Sequence, residues 1–156
     1  MILFICTGNI FRSMMAEYAL RAKLGSNTGF RVRSAGLIDA PHEIVSFVTD
    51  HLATKSIDVS PHQPTRLTRT ILDEASLAVA MGTEHRQQLS ERFDHRASLF
   101  SEIAYGTEEP LLDVFEVVPD WQSNHDAAVA YGTWVIDYII DGMPGFVDRM
   151  AAFMPT

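Results

Sequence analysis

Cys6 is the only cysteine in 156 residues, and Arg12 follows it six positions later, with Gly8 and Asn9 between them and Ser13 directly after. A lone buried cysteine is most often a small apolar core residue, so its neighbours decide whether it reads as a reactive thiol. Glycine and asparagine are the residues that best tolerate the sharp backbone angles of a curled loop, and the N–H groups of such a loop converge on an anion. A thiol among those donors, beside a guanidinium, is favoured as the thiolate. The planar fork of Arg12 matches two oxygens of a phosphate and can hold them more tightly as they become equatorial during transfer. Ser13 can donate a hydrogen bond to the sulfur. The chemistry expected of "CTGNIFRS" is thus nucleophilic attack on a tetrahedral oxyanion ester, without a metal or other cofactor.

That chemistry requires a strand before the loop and a helix after it. "MILFIC" reads as a buried strand, since it lacks the basic leading region of a signal peptide and meets polar residues too soon for a membrane span. Arg12–Leu24 has apolar residues at helical spacing, with "LGSNTG" as its stop signal. A loop opening such a helix also gains the positive end of the helix dipole. Further strands are expected at Phe30–Ser34, Leu77–Met81 and Ala97–Ser101. Helices are expected at His42–Thr54, Leu67–Glu74, Glu84–Phe93 and Asn124–Asp141, the last broken or kinked at Gly142, Pro144 and Gly145. Short apolar runs alternating with helical stretches specify an α/β fold, a four-stranded parallel sheet flanked by helices in a three-layer sandwich, with the phosphate-binding loop after the first strand.

Composition bounds the rest. With 47% apolar and 21% charged residues, the chain is expected to form one globular domain over residues 1–156. A single cysteine excludes an internal disulfide framework and a clustered-cysteine metal site, and suits a reducing compartment, with the cytoplasm as the default. Twenty acidic against twelve basic residues give a net charge of -8, which argues against a nucleic-acid surface. Neither nucleic acid nor membrane insertion is expected.

"CTGNIFRSMMAE" resembles the phosphate-binding loop of the low-molecular-weight protein tyrosine phosphatases. "VRSAG", "SIDVSPHQPTRLT" and "LAVAMGTEH" are similar to further family segments, so the likeness spans nearly the whole chain. The resemblance implies Cys6 as nucleophile, Arg12 as phosphate clamp and Ser13 as hydrogen-bond partner of the sulfur. Thr7, Gly8, Asn9, Ile10 and Phe11 would surround the phosphate with Arg12 and Ser13. Asn9 would be held by Ser34 and His62, although His62 taken alone reads as a solvated loop histidine.

The family also uses an aspartate before the last helix as general acid, because expelling an unprotonated alkoxide or phenolate is costly. Asp120 in "VVPDWQSN" is the expected acid, with Asp113 in "LLDVF" as its rival; counting from Asp120 places Ile136 where the family's helix is apolar, without a gap. The sequence departs from the family in lacking proline after that acid, in lacking an aromatic after "SAG", and in having Phe11 where a second cysteine is common. Trp121 is then the expected aromatic wall of the substrate cleft. The implied reaction hydrolyses a phosphomonoester, from a phosphorylated protein such as a phosphotyrosyl protein or from a small aryl phosphate, through a phosphocysteine, and releases inorganic phosphate. The alternatives are an arsenate reductase dependent on external thiols and a non-catalytic module that binds phosphoprotein.

Overall fold

The computed structural model describes residues 1–26 and 29–154. Asn27 and Thr28, part of the expected stop signal after the first helix, lie outside the described residues. Four parallel strands form one sheet in the order β2-β1-β3-β4: β1 (Ile2–Cys6), β2 (Val32–Gly36), β3 (Leu77–Ala80) and β4 (Ser98–Leu99). β1 is central and wholly buried, which explains why it reads as an unbroken apolar run instead of alternating. Its residues still point to two faces. Ile2, Phe4 and Cys6 join a core built with α1 (Arg12–Leu24), α2 (Ser46–Thr54), α5 (Phe100–Tyr105) and α7 (His125–Arg149). Leu3 and Ile5 join a second core with Leu72 of α3 (Arg69–Asp73) and Leu89 of α4 (Thr83–Phe93). The expected α/β sandwich is therefore present. Among the described residues no helix is long and apolar enough to cross a membrane.

Several elements differ from the sequence expectation, among them α2, which begins at Ser46 and not at His42. β2 begins and ends two residues later than Phe30–Ser34, because its register against β1 runs from Ile2 opposite Val32 to Cys6 opposite Gly36. The fourth strand has only two residues where Ala97–Ser101 was expected. Phe100 starts α5 instead, since Phe100, Ile103 and Ala104 bury one helical face while Glu102 accepts the Leu99 N–H at 2.6 Å and closes the helix start. The last helix is not broken at Gly142, Pro144 or Gly145 but continues to Arg149. Met143, Phe146 and Met150 all pack into the first core, and that burial carries the helix through a proline that would end an exposed one.

Gly36 lies where β2 meets the loop that follows β1. A Cβ there would stand 2.8 Å from Thr7 O, 2.9 Å from Gly8 C and 2.9 Å from Ile38 O, all backbone atoms that cannot swing aside. Gly36→Ala is expected to lower unfolding free energy by about 1–3 kcal/mol, the usual cost of overpacking. Urea unfolding measures this, and an unchanged midpoint would mean the loop yields freely.

Candidate active site

The strand–loop–helix unit places the single thiol at the end of the central strand, 3% exposed, and the guanidinium of Arg12 at the start of α1, 1% exposed. The first turn of α1 has no side-chain cap and no acidic residue, which leaves its dipole available to an anion in the loop. Asn9 is the turning point of that loop. It adopts φ 57°, in the left-handed region that few residues other than glycine occupy without strain. Gly8 has no positive φ; its lack of a side chain serves close approach instead, since a Cβ would lie 2.7 Å from Pro41 Cδ.

Asn9 is fully buried and every polar part of it named in the loop's support is partnered. Its Nδ2 donates to Ser34 Oγ at 2.7 Å and to Ser13 Oγ at 3.1 Å. Its Oδ1 accepts from the Thr65 N–H at 2.9 Å, and its carbonyl lies 2.7 Å from His62 Nε2. A carbonyl only accepts, so His62 is the Nε2–H tautomer. Because Asn9 donates to Ser13, the Ser13 hydroxyl proton is free to point elsewhere. Cys6 Sγ lies 2.9 Å from Ser13 Oγ, in position to receive it. Ser34 in turn donates to the Glu17 carboxylate, which Arg21 holds at 2.5 Å. Donation therefore diverges from the Asn9 amide, through Ser34 to the buried Glu17 carboxylate and through Ser13 toward the sulfur.

Arg12 is anchored on three sides. Its Nη1 donates to Leu111 O at 2.8 Å and lies 3.5 Å from Glu84 Oε1, and its Nη2 donates to Asp113 Oδ2 at 2.6 Å. Its Nε is buried without a hydrogen-bond partner among the described residues. Asp113 is the N-cap of α6 (Val114–Val117): Oδ1 accepts from the Val114 N–H at 2.7 Å, leaving Oδ2 to the guanidinium. The cap is what aims the carboxylate.

A cleft of about 500 Å³ opens over the loop, lined by Cys6, Thr7, Gly8, Ile10 and Phe11. Ile38, Phe115, Trp121 and Asp113 contribute to its walls. Trp121 is thus on the cleft as expected. Asp120 is not: it sits exposed in the turn after α6, with its carboxylate accepting from Asn124 Nδ2 at 3.3 Å. The count from Asp120 to Ile136 took no account of a helix before the last one. Helix α6 and a turn occupy the stretch between Asp113 and α7, and it is the earlier carboxylate that reaches the guanidinium.

The sequence reading also missed three partners of the loop. Glu17 looked like an ordinary polar position on α1, and only its spacing of four from Arg21 hinted at a pair. Thr65 acts through its backbone and leaves no residue signal. His85 is completely buried beside Thr7, with Nε2 3.0 Å from Thr7 Oγ1 and 3.1 Å from Glu84 Oε1. Burial, reinforced by the Arg12 charge, pushes its pKa down to about 3, so the ring is neutral and its contact with Glu84 is a hydrogen bond.

A group whose folded pKa lies below its unfolded value of about 6.5 binds fewer protons folded than unfolded in between. Unfolding free energy should therefore fall as pH drops from about 6.5 toward 3, by up to about 1.4 kcal/mol per pH unit from this residue. Denaturation of His85→Gln beside the parent over that range checks it, with a flatter acid limb expected for the variant. Parallel limbs would mean that His85 does not titrate in this way.

Comparison with known proteins places this geometry. A family model described as low molecular weight phosphotyrosine protein phosphatase matches residues 1–116. A protein-arginine-phosphatase of Bacillus subtilis is 32% identical over 125 residues, covering 73% of this chain and 79% of that protein. The low molecular weight protein-tyrosine-phosphatase Etp of Escherichia coli is 33% identical over 90 residues, covering 57% of this chain and 59% of its own. Among solved structures, an arginine phosphatase from Geobacillus stearothermophilus superposes with a TM-score of 0.79 at 24% identity, over 97% of this chain and 92% of that one. A low molecular weight protein tyrosine phosphatase from T. tengcongensis superposes with a TM-score of 0.78 at 23% identity, over 95% and 97%.

Proposed function

Because the chain belongs to the low-molecular-weight phosphotyrosine protein phosphatase family and is a cysteine-dependent phosphatase, we propose that Cys6 is its nucleophile, Arg12 its phosphate clamp and Asp113 its general acid. The observation that carries the last assignment is the position of Asp113 Oδ2, 2.6 Å from Arg12 Nη2 and on the wall of the cleft that exposes Cys6. A substrate phosphate that engages the guanidinium displaces the carboxylate from it, and leaves Asp113 beside the bridging oxygen.

The reaction has two steps. Cys6 Sγ attacks phosphorus, the Sγ–P bond forms as the P–O bond to the leaving group breaks, and Asp113 gives that oxygen a proton. Water then attacks the phosphocysteine, gives a proton back to Asp113, and the Sγ–P bond breaks to release phosphate. The Ser13 hydroxyl stabilises the sulfur as the group that leaves in the second step. The loop N–H groups, held in shape through Asn9, Ser34 and His62, stabilise the three equatorial oxygens.

The substrate we assign is an aryl phosphate, the phosphotyrosyl side chain of a protein. Ile10, Phe11, Ile38, Phe115 and Trp121 give the cleft apolar and aromatic walls that suit a phenyl ring. Although relatives are named for protein-arginine phosphatase activity, a phosphorylated guanidinium brings several N–H donors, and apolar walls leave such donors unpaired at a cost. Two peptides of one sequence, differing only in phosphotyrosine or phosphoarginine, test the assignment. A higher kcat/KM for phosphotyrosine is expected, and the reverse order would reassign the cleft.

Cys6→Ser should fold and bind phosphate yet turn over below about a thousandth of the parent rate, because a hydroxyl is not ionised at neutral pH. Asp113→Asn should slow phenyl phosphate by roughly 10²- to 10⁴-fold, and an ester with a very good leaving group far less. Asp120→Asn should change neither. Steady-state rates on the two esters decide between the carboxylates, since the opposite pattern would return the acid to Asp120.

A further inference from the structure

A second concavity, of about 300 Å³, lies along β2, the outer strand of the sheet, and shares no lining residue with the substrate cleft. Arg21, Arg31 and Arg33 all line it, a local cluster of cations on a chain of net charge -8. Two of them have carboxylate partners: Arg21 pairs with Glu17 and Arg31 with Glu74. Arg33 is half-buried, and its side chain has no hydrogen bond or ion pair among the described residues. Glu17 lines the same concavity and offsets Arg21, and Glu74 offsets Arg31, so Arg33 carries the uncompensated positive charge, for which a small anion supplies the counter-charge. His62 and Thr65 complete the wall with further polar groups.

The wall of this concavity is also the support of the loop. Arg21 is the counter-ion of Glu17, Glu17 accepts from Ser34, and Ser34 accepts from Asn9. His62 and Thr65 hold the Asn9 carbonyl and Oδ1. An anion bound here therefore competes with Glu17 for Arg21, and touches the residues that keep the loop in its shape.

We propose that this concavity is a second anion site, for inorganic phosphate or a small phosphate monoester, and that its occupancy lowers turnover by drawing Arg21 away from Glu17. Phosphate is the reaction's product, so the site would make the enzyme respond to accumulated product in addition to simple competition at the cleft. The binding half of the proposal stands apart from the assignment of the cleft, whereas the coupling half rests on it.

Calorimetric titration of inorganic phosphate into protein alkylated at Cys6 with iodoacetamide reads the binding half. With the loop blocked, one phosphate should still bind, and the Arg31→Ala/Arg33→Ala double variant, alkylated in the same way, should bind it about tenfold or more weakly. No binding after alkylation, or binding unchanged in the double variant, overturns the site. Product-inhibition kinetics on the unmodified enzyme read the coupling half. Phosphate should lower kcat as well as raise KM, while Arg33→Ala, with the parent's activity in the absence of phosphate, should show competitive inhibition alone. Purely competitive inhibition of the parent overturns the coupling. Failure of the cleft assignment would appear separately, as Cys6→Ser retaining activity, and would leave the calorimetric result intact.

Discussion

The structure turns on one residue held in an unfavourable backbone conformation. A non-glycine residue at positive φ costs on the order of 1–3 kcal/mol, and such residues persist only where their surroundings over-determine them. Asn9 meets that condition with four hydrogen bonds, from Thr65 and His62 and to Ser34 and Ser13. The partners come from three parts of the fold, so the sheet, the first helix and the segment after α2 are tied to the same residue. In a buried network a missing partner costs more than the bond itself is worth, because the orphaned group stays desolvated. That asymmetry holds the loop in one shape.

Charge is distributed around the loop with similar economy. Glu17 and Asp113 face it from opposite ends of the donor network, one through Ser34 and the other through Arg12. His85, which could have added a second positive charge beside Arg12, is kept neutral by burial and by that same guanidinium. The cation of the site is therefore one planar fork, and the acidic balance of the chain reaches it through specific carboxylates and not as a diffuse field.

The sequence was most informative where local chemistry and local structure coincide. A buried central strand, a loop with residues tolerant of tight angles and a helix are consecutive in the chain, so Cys6, Asn9, Arg12 and Ser13 were legible together. Helix α1 was recognisable even though Arg12, Ser13 and Glu17 are buried in it, because Met14, Met15, Ala19 and Leu20 still follow helical spacing. The carboxylate that meets Arg12 was less legible, for the opposite reason. Which of two aspartates reaches a guanidinium about a hundred residues earlier depends on how α6 folds between them, and four residues of helix leave a faint periodic signal. Thr65 and Leu111 contribute backbone atoms, which any residue type could supply. The continuity of α7 through Pro144 was set by its core contacts, a tertiary effect that local propensity does not contain.

The parallel topology gathers the loop's partners from far along the chain. Asn9 is bonded to positions 25, 53 and 56 residues away, and Arg12 to positions 72, 99 and 101 residues away. Contacts of such sequence separation form late, after the closure entropy of long intervening segments has been met. During refolding, helical structure and much of the core can thus assemble while the loop is still shapeless. Competence to bind an anion arrives with the last long-range contacts, so a newly made chain is compact before it is active.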